Sequence, residues 1–204
     1  MKLRQSKMHH NVGILDAKIG NVRALANMLD RLSISNEVLD APRNIDGFTA
    51  VILPGVGKFD YCMAKLEMSG FNDFVQEAAI ANKKILGICI GMHLLCSSSS
   101  EGSGKGLNLL PYPVVPIQIA DPQIKQKTIM GRHKIQCTSK KYEAVNKLYF
   151  THSYGLSINK HTIGKYLDNQ LAAIVENKNI TGIQAHPEKS GTSGMQFFQD
   201  WLNR

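Results

Sequence analysis

Cysteine is sparse in this chain of 204 residues, which has four: Cys62, Cys89, Cys96 and Cys137. None falls in a CxxC pair, which argues against a zinc site, and their density is far below that of a disulfide scaffold. The thiols are therefore expected to be reduced, leaving room for a reactive one. No apolar run approaches the roughly 18 residues of a bilayer span, and residues 1–10 lack the apolar core of a signal peptide. A cytoplasmic location with no membrane partner is the expectation. Acidic residues are the minority, 16 against 24 Lys and Arg, for a net charge of +8. The basic groupings at 83–84, 125–127 and 140–141 are short, and no nucleic-acid-binding motif accompanies them. The excess predicts a solvated basic surface, able to attract phosphorylated metabolites or an acidic partner, rather than a nucleic-acid site. His133 and His152 lack a spaced set of further ligands, so no metal is expected.

What is present is the balance of a folded globular protein, 43% hydrophobic and 20% charged. The length suits one large domain spanning 1–204. In the first half, short apolar runs at 12–15, 37–39, 50–53 and 85–88 alternate with helical-period segments, the pattern of parallel strands joined by crossover helices. Val22, Leu25, Leu29 and Leu32 line one face of a predicted helix, and 61–82 is long enough for one or two more. The second half is punctuated by Pro111, Pro113 and Pro116, and its runs at 114–119, 134–137, 148–151, 172–176 and 181–185 read as antiparallel or mixed strands. A closing helix is expected over 193–202, with Met195, Phe198 and Trp201 on one side. The run SSSSEGSG at 97–104 reads as a mobile surface loop or linker.

Two segments carry chemistry. In KILGICIGM, 84–92, a β run feeds directly into Cys89, with glycines on either side and a helix-like continuation through Leu95. Such a strand-to-helix elbow would push the thiol into a cleft, lower its pKa and offer N–H groups to an oxyanion. Taken alone, a buried cysteine at a strand end explains the segment equally well. In GIQAHPEKS, 182–190, His186 ends a strand and Glu188 follows two residues on, so the carboxylate could hold the imidazole in the tautomer that accepts a thiol proton. By itself that segment reads as a surface loop.

Taken together, GICIG at 87–91 and HPE at 186–188 resemble the class I glutamine amidotransferases, in the right order and separation. Further landmarks resemble the HisH-type glutaminase subunits of imidazole glycerol phosphate synthase over nearly the whole chain: Asp16 with Gly20 and Asn21, LPGVGKF at 53–59, FTHSY at 150–154 and IQAHPEKS at 183–190. The resemblance implies an α/β fold, an open, mainly parallel sheet of flavodoxin-like type flanked by helices, with additional antiparallel strands in the second half. It implies a Cys89, His186 and Glu188 triad, with oxyanion donors from Gly55, Val56, Gly57 and Ile90 and substrate contacts from Gly91, His93, Ser153 and Tyr154. The implied substrate is L-glutamine, no cofactor is needed, and the partner is a HisF-like synthase subunit forming a heterodimer. The loop at 55–57 could also be no more than a tight turn after Pro54.

The chain departs from the pattern at four places. The usual Gln after the elbow is His93, and the carboxylate sought four residues later is Ser97. The usual Asp-Tyr-Gly start reads DAK at 16–18, and Met-Gly-Trp-Asn reads MGRH at 130–133. The last two suggest a changed partner interface, and with it a paralogue supplying ammonia to a sugar-modifying enzyme of surface polysaccharides. His93 and Ser97 leave open a catalytically impaired binding subunit, and a cysteine hydrolase on a similar scaffold fits HPE poorly.

Overall fold

The computed structural model describes residues 10–166 and 171–203. Residues 1–9, most of the segment read for a signal peptide, lie outside them.

Four apolar runs of the first half become strands β1 (Asn11–Leu15), β2 (Ser35–Leu39), β3 (Ala50–Gly55) and β4 (Lys84–Cys89). Helix α1 (Val22–Arg31) joins the first two, with Asn21 capping it by accepting from the Ala24 N–H at 3.2 Å. Leu25 and Leu29 are buried against the sheet, each contributing on the order of 1.5–3 kcal/mol by removal from water. The 61–82 region holds two helices, α2 (Phe59–Met68) and α3 (Phe71–Ile80), because Gly70 takes a left-handed φ of 75° and breaks the run.

After the elbow helix α4 (Ile90–Leu95) come β5 (Cys96–Ser99) and β6 (Leu110–Pro116), the short helix α5 (Ile117–Ala120), β7 (Ile129–Cys137), β8 (Lys147–His152), β9 (Tyr154–Gly155), β10 (Thr162–Tyr166), β11 (Leu171–Asn177), β12 (Ile180–Ile183) and α6 (Gly191–Leu202). Among the described residues the sheet has nine strands in the order β2-β1-β3-β4-β12-β11-β10-β7-β8. From β2 to β12 neighbours run parallel, and from β12 to β8 they run antiparallel. The sheet is therefore mixed, its parallel half carrying α1, α3 and α4. A second sheet, β5-β6-β9, lies apart from it in pairing.

Three expectations change. Residues 97–99 of the serine run form strand β5, which pairs with β6. Backbone bonds decide this, including Ser100 N–H to Val114 O at 2.9 Å and Gly106 N–H to Ser97 O at 3.0 Å, where side-chain propensity is silent. The turn that follows is held to α2 by the Asp60 carboxylate, which accepts from the N–H groups of Ser103 and Gly104 at 3.0 and 3.1 Å. Beyond β6, the expected strand over 114–119 stops at Pro116, whose φ of −51° opens α5. Strand β10 was not expected at all, since Gly164 and Lys165 interrupt its apolar pattern, yet β7 and β11 flank it on both sides.

Where the resembled pattern has Gly, Lys18 stands with φ 61°. Its ammonium meets Asp16 at 2.6 Å, but that pair is largely solvated on the lysine side and stabilises little. Lys18→Gly is expected to raise stability by about 0.5–1 kcal/mol, the left-handed cost less glycine's extra chain entropy. Urea denaturation measures it.

Candidate active site

Register in the parallel half brings the site residues together. In the pairing of β3 with β4, Gly55 lies opposite Cys89, and in that of β12 with β4, Ile183 lies opposite Ile88. The loop after β3, the elbow after β4 and the segment after β12 therefore leave the same edge, outside the carboxyl ends of the strands, where open α/β sheets bind ligands.

Cys89 has φ 54° and ψ −112°, a strained conformation for a residue with a side chain, and α4 starts directly after it. The flanking glycines allow the crowding: a Cβ on Gly91 would lie 1.8 Å from the Leu53 carbonyl oxygen, and one on Gly87 2.7 Å from the Gly91 oxygen. His186 is held from β8, its N–H donating to Tyr149 O at 2.8 Å and its carbonyl accepting from Ser190 Oγ at 2.7 Å. Its Nδ1 meets Glu188 Oε1 at 2.8 Å, with both side chains almost fully buried. Among the described residues no conventional hydrogen-bond partner reaches its Nε2, and Cys89 acts on the ring from that side. Burial lowers the imidazole pKa, but contact with the Cys89 sulfur, the hydrogen bond to Glu188 and both negative charges outweigh it and raise the pKa to about 9.

That shift has a definite sign in stability. A histidine raised from 6.5 to about 9 adds stability that is full below 6.5 and is lost as pH rises through about 9. Two other buried histidines act oppositely. Burial lowers His93 to about 4 and His152 to about 3, so their contribution is present above 6.5 and is lost as pH falls toward those values.

A cavity of about 370 Å³ is lined by Cys89, Ile90, His93, His186, Val56, Gly57, Ser153 and Tyr154 among the expected residues. Gly55 and Gly91 are not in its wall. They pack beneath it, where a Cβ on Gly55 would lie 2.6 Å from the Gly91 nitrogen. Val56 N–H donates to Ile19 O at 2.5 Å and is committed to that neighbour in this conformation. The expected donor from Val56 is thus not aimed at the cavity.

The wall also holds residues that sequence reasoning missed. Glu101, hidden in the serine–glycine run, lines the cavity and accepts from Phe59 N–H at 3.2 Å. Burial raises its pKa, against the lowering effects of that N–H and of Lys58. The cavity therefore has a carboxylate, at 101 rather than at Ser97. His152, in the same wall, is a buried strand residue. Its Nδ1–H donates to Tyr154 O at 2.8 Å, and its Nε2 accepts from the hydroxyl of Tyr166, also at 2.8 Å. Both nitrogens are used within the protein, and Tyr166 comes from the unexpected strand β10. Gln184, fully buried, donates from Nε2 toward Cys89 Sγ at 3.9 Å. Thr128 and Ser153 hydroxyls meet at 2.7 Å in the wall. Among the described residues no group of three or more His, Cys, Asp or Glu is placed to hold a metal ion, and no helix is long and apolar enough to cross a membrane.

Chemically, a buried thiol beside an imidazole that a carboxylate orients is the arrangement of a cysteine nucleophile with a general base. Comparison with known proteins gives the family. A family model described as Glutamine amidotransferase class-I matches residues 13–203. The imidazole glycerol phosphate synthase subunit HisH of Leptospira borgpetersenii is 34% identical over 205 residues, covering 94% of this chain and 99% of its own. That of Prochlorococcus marinus is 32% identical over 199 residues, covering 94% and 93%. Among solved structures, a glutamine amidotransferase superposes with TM-score 0.71 at 18% identity, covering 94% of this chain and 96% of its own. The PurLQS structure from Thermotoga maritima gives the same score and identity, covering 96% and 99%. These last two support the fold alone. With motif, fold and full-length relatives in agreement, the chain belongs to the class I glutamine amidotransferases and is a glutaminase of that family.

Proposed function

We propose that the chain is the glutaminase subunit of a two-subunit ammonia-transferring enzyme, with Cys89, His186 and Glu188 as its catalytic triad. One observation carries the reading: a buried imidazole clamped by Glu188 at 2.8 Å, its other nitrogen left to Cys89. The Cys89 thiolate attacks the side-chain carbonyl carbon of L-glutamine. The C–N bond breaks, His186 gives its proton to the departing nitrogen, and ammonia leaves with a thioester on Cys89. His186 then takes a proton from water, whose oxygen displaces the sulfur and releases glutamate.

Ile90 opens α4, so its N–H has no acceptor within the helix and can face the oxyanion. The second donor comes from the 55–57 loop once the peptide before Val56 turns away from Ile19. Docking of the synthase subunit drives that turn, so hydrolysis by the free subunit is weak. Ser153, Tyr154 and His93 contact the glutamine, and Glu101 takes its ammonium. Glu101→Gln is expected to raise KM for glutamine roughly tenfold or more while changing kcat less, since a charged hydrogen bond is lost from binding. Steady-state kinetics of glutamate release check it.

For Glu188→Gln the His186 pKa falls, because the carboxylate that favours imidazolium is gone. The alkaline limb of the kcat/KM profile, near pH 9 in the native protein, should move to lower pH, with activity reduced at every pH. A limb that stays in place would argue against the pairing.

The partner is a HisF-type synthase subunit and the pathway is histidine biosynthesis, as the relatives' name suggests, with imidazole glycerol phosphate as product. A second reading is favoured by positions 16–18 and 130–133, which depart from the pattern near the site. Ile19, next to the first, holds Val56, and Arg132 donates to the Lys189 carbonyl at 3.2 Å, beside Glu188. Under that reading the partner is a related barrel serving a sugar-modifying enzyme. Glutamate release by the purified chain, alone and with a HisF-type subunit, tests both. Stimulation by that subunit supports the histidine pathway, and activity that it leaves unchanged supports the paralogue. No glutamate under either condition, with Cys89 unlabelled by a glutamine-analogue electrophile, supports a binding subunit.

A further inference from the structure

We propose that His93 is a positioning residue for the nucleophile: it fixes the side-chain amide of Gln184 so that an N–H of that amide faces the Cys89 sulfur. The proposal rests on the reading of Cys89 as nucleophile. His93 Nε2 lies 2.9 Å from Gln184 Oε1, and Gln184 Nε2 lies 3.9 Å from Cys89 Sγ. All three residues are buried, and the β4–β12 register places Gln184 and Cys89 as the residues next after a matched pair, Ile183 and Ile88.

The direction of this chain follows from the sulfur. An attacking thiolate can only accept, so for Cys89 to react Gln184 must present its NH₂ group there, as it does at 3.9 Å, and its carbonyl to His93. A carbonyl oxygen accepts, which makes His93 Nε2 the donor and settles its neutral tautomer. The other nitrogen, Nδ1, is then an unprotonated acceptor. It is buried, has no hydrogen-bond partner among the described residues and belongs to a residue of the cavity wall. It can pair only with a donor, such as an N–H of bound glutamine. Burial keeps the ring uncharged at neutral pH, so it polarises Gln184 without competing with His186 for the thiolate. A glutamine at 93, which the resembled pattern carries, could also donate to Gln184 Oε1, so His93 substitutes for it chemically as well as in place.

The readout is the rate of Cys89 alkylation by iodoacetamide against pH, followed by mass spectrometry at that residue, in the native chain, His93→Leu, Gln184→Met and His93→Gln. Iodoacetamide needs no glutamine recognition, and the other titratable neighbours, His152, Tyr166, His186, Glu188, Cys62 and Glu101, are unchanged in every variant. Losing an N–H donor to the thiolate is expected to raise the midpoint of the profile by about one pH unit in His93→Leu and Gln184→Met, slowing alkylation about tenfold at pH values below the native midpoint. His93→Gln should stay within about threefold of the native rate, because its amide restores the donor. A His93→Leu or Gln184→Met profile superimposable on the native one overturns the proposal, as does His93→Gln behaving like His93→Leu. Gln184→Met breaks the same link without touching α4, so it carries the test should His93→Leu fail to fold. A native chain that alkylates normally yet hydrolyses no glutamine sinks the functional reading alone.

Discussion

Cys89→Ala is expected to lower glutamine hydrolysis by about 10⁴-fold or more, because no other group can form the thioester and residual catalysis comes only from binding and the oxyanion donors. Glutamate release by the purified chain, alone and with a HisF-type subunit added, measures it. His186→Ala should cost nearly as much, and the double variant little more than either, since nucleophile and base act as a unit. Stability should not fall with activity. Cys89 is held at φ 54° and ψ −112° by the turn between β4 and α4, a strain of order 1–3 kcal/mol that alanine retains and glycine relieves. Cys89→Gly is therefore expected to be both inactive and more resistant to urea than the native chain. Hydrolysis surviving within tenfold in Cys89→Ala would remove the nucleophile from this account.

A large structural effect is expected at Gly91. An added Cβ would lie 1.8 Å from the Leu53 carbonyl oxygen and 2.8 Å from the Leu53 carbonyl carbon. Both are backbone atoms of β3, paired with β4, so neither can move aside as a flexible side chain would. Relief requires α4 to lift from β3, which would take His93 and the start of the elbow with it. Gly91→Ala should cost at least about 3 kcal/mol, the upper end of overpacking, or prevent folding altogether. Gly47→Ala is the control: nothing lies within 4 Å of its added Cβ. Urea midpoints that match in the two variants would mean that α4 does not rest on β3 as described.

Much of this was legible in advance, for identifiable reasons. Strands β1, β3 and β4 are buried on both faces, so they announce themselves as continuous apolar runs, and α1 shows its buried stripe in Leu25 and Leu29. The elbow and the His186–Glu188 turn are local in sequence, so spacing alone proposes them. Strand β5 and the carboxylate of Glu101 were not legible. SSSSEGSG has the composition of a linker, and only pairing with β6 and the clasp of Asp60 give it form. Strand β10 was hidden for the same reason, and with it the role of Tyr166 in holding His152.

The sequence by itself determined which residues could react and in what order they occur, because turn chemistry, hydrophobic period and motif spacing act over a few neighbours. Only the tertiary structure decided what each polar atom meets. Gln184 reaches Cys89 across 95 positions and Val56 is held by Ile19 across the sheet edge, contacts set by register between strands. Charge states followed the same division. Three histidines alike in sequence are driven to about 9, about 4 and about 3, because burial penalises the charged ring everywhere and only His186 has both the Glu188 carboxylate and the Cys89 sulfur beside it to repay that cost.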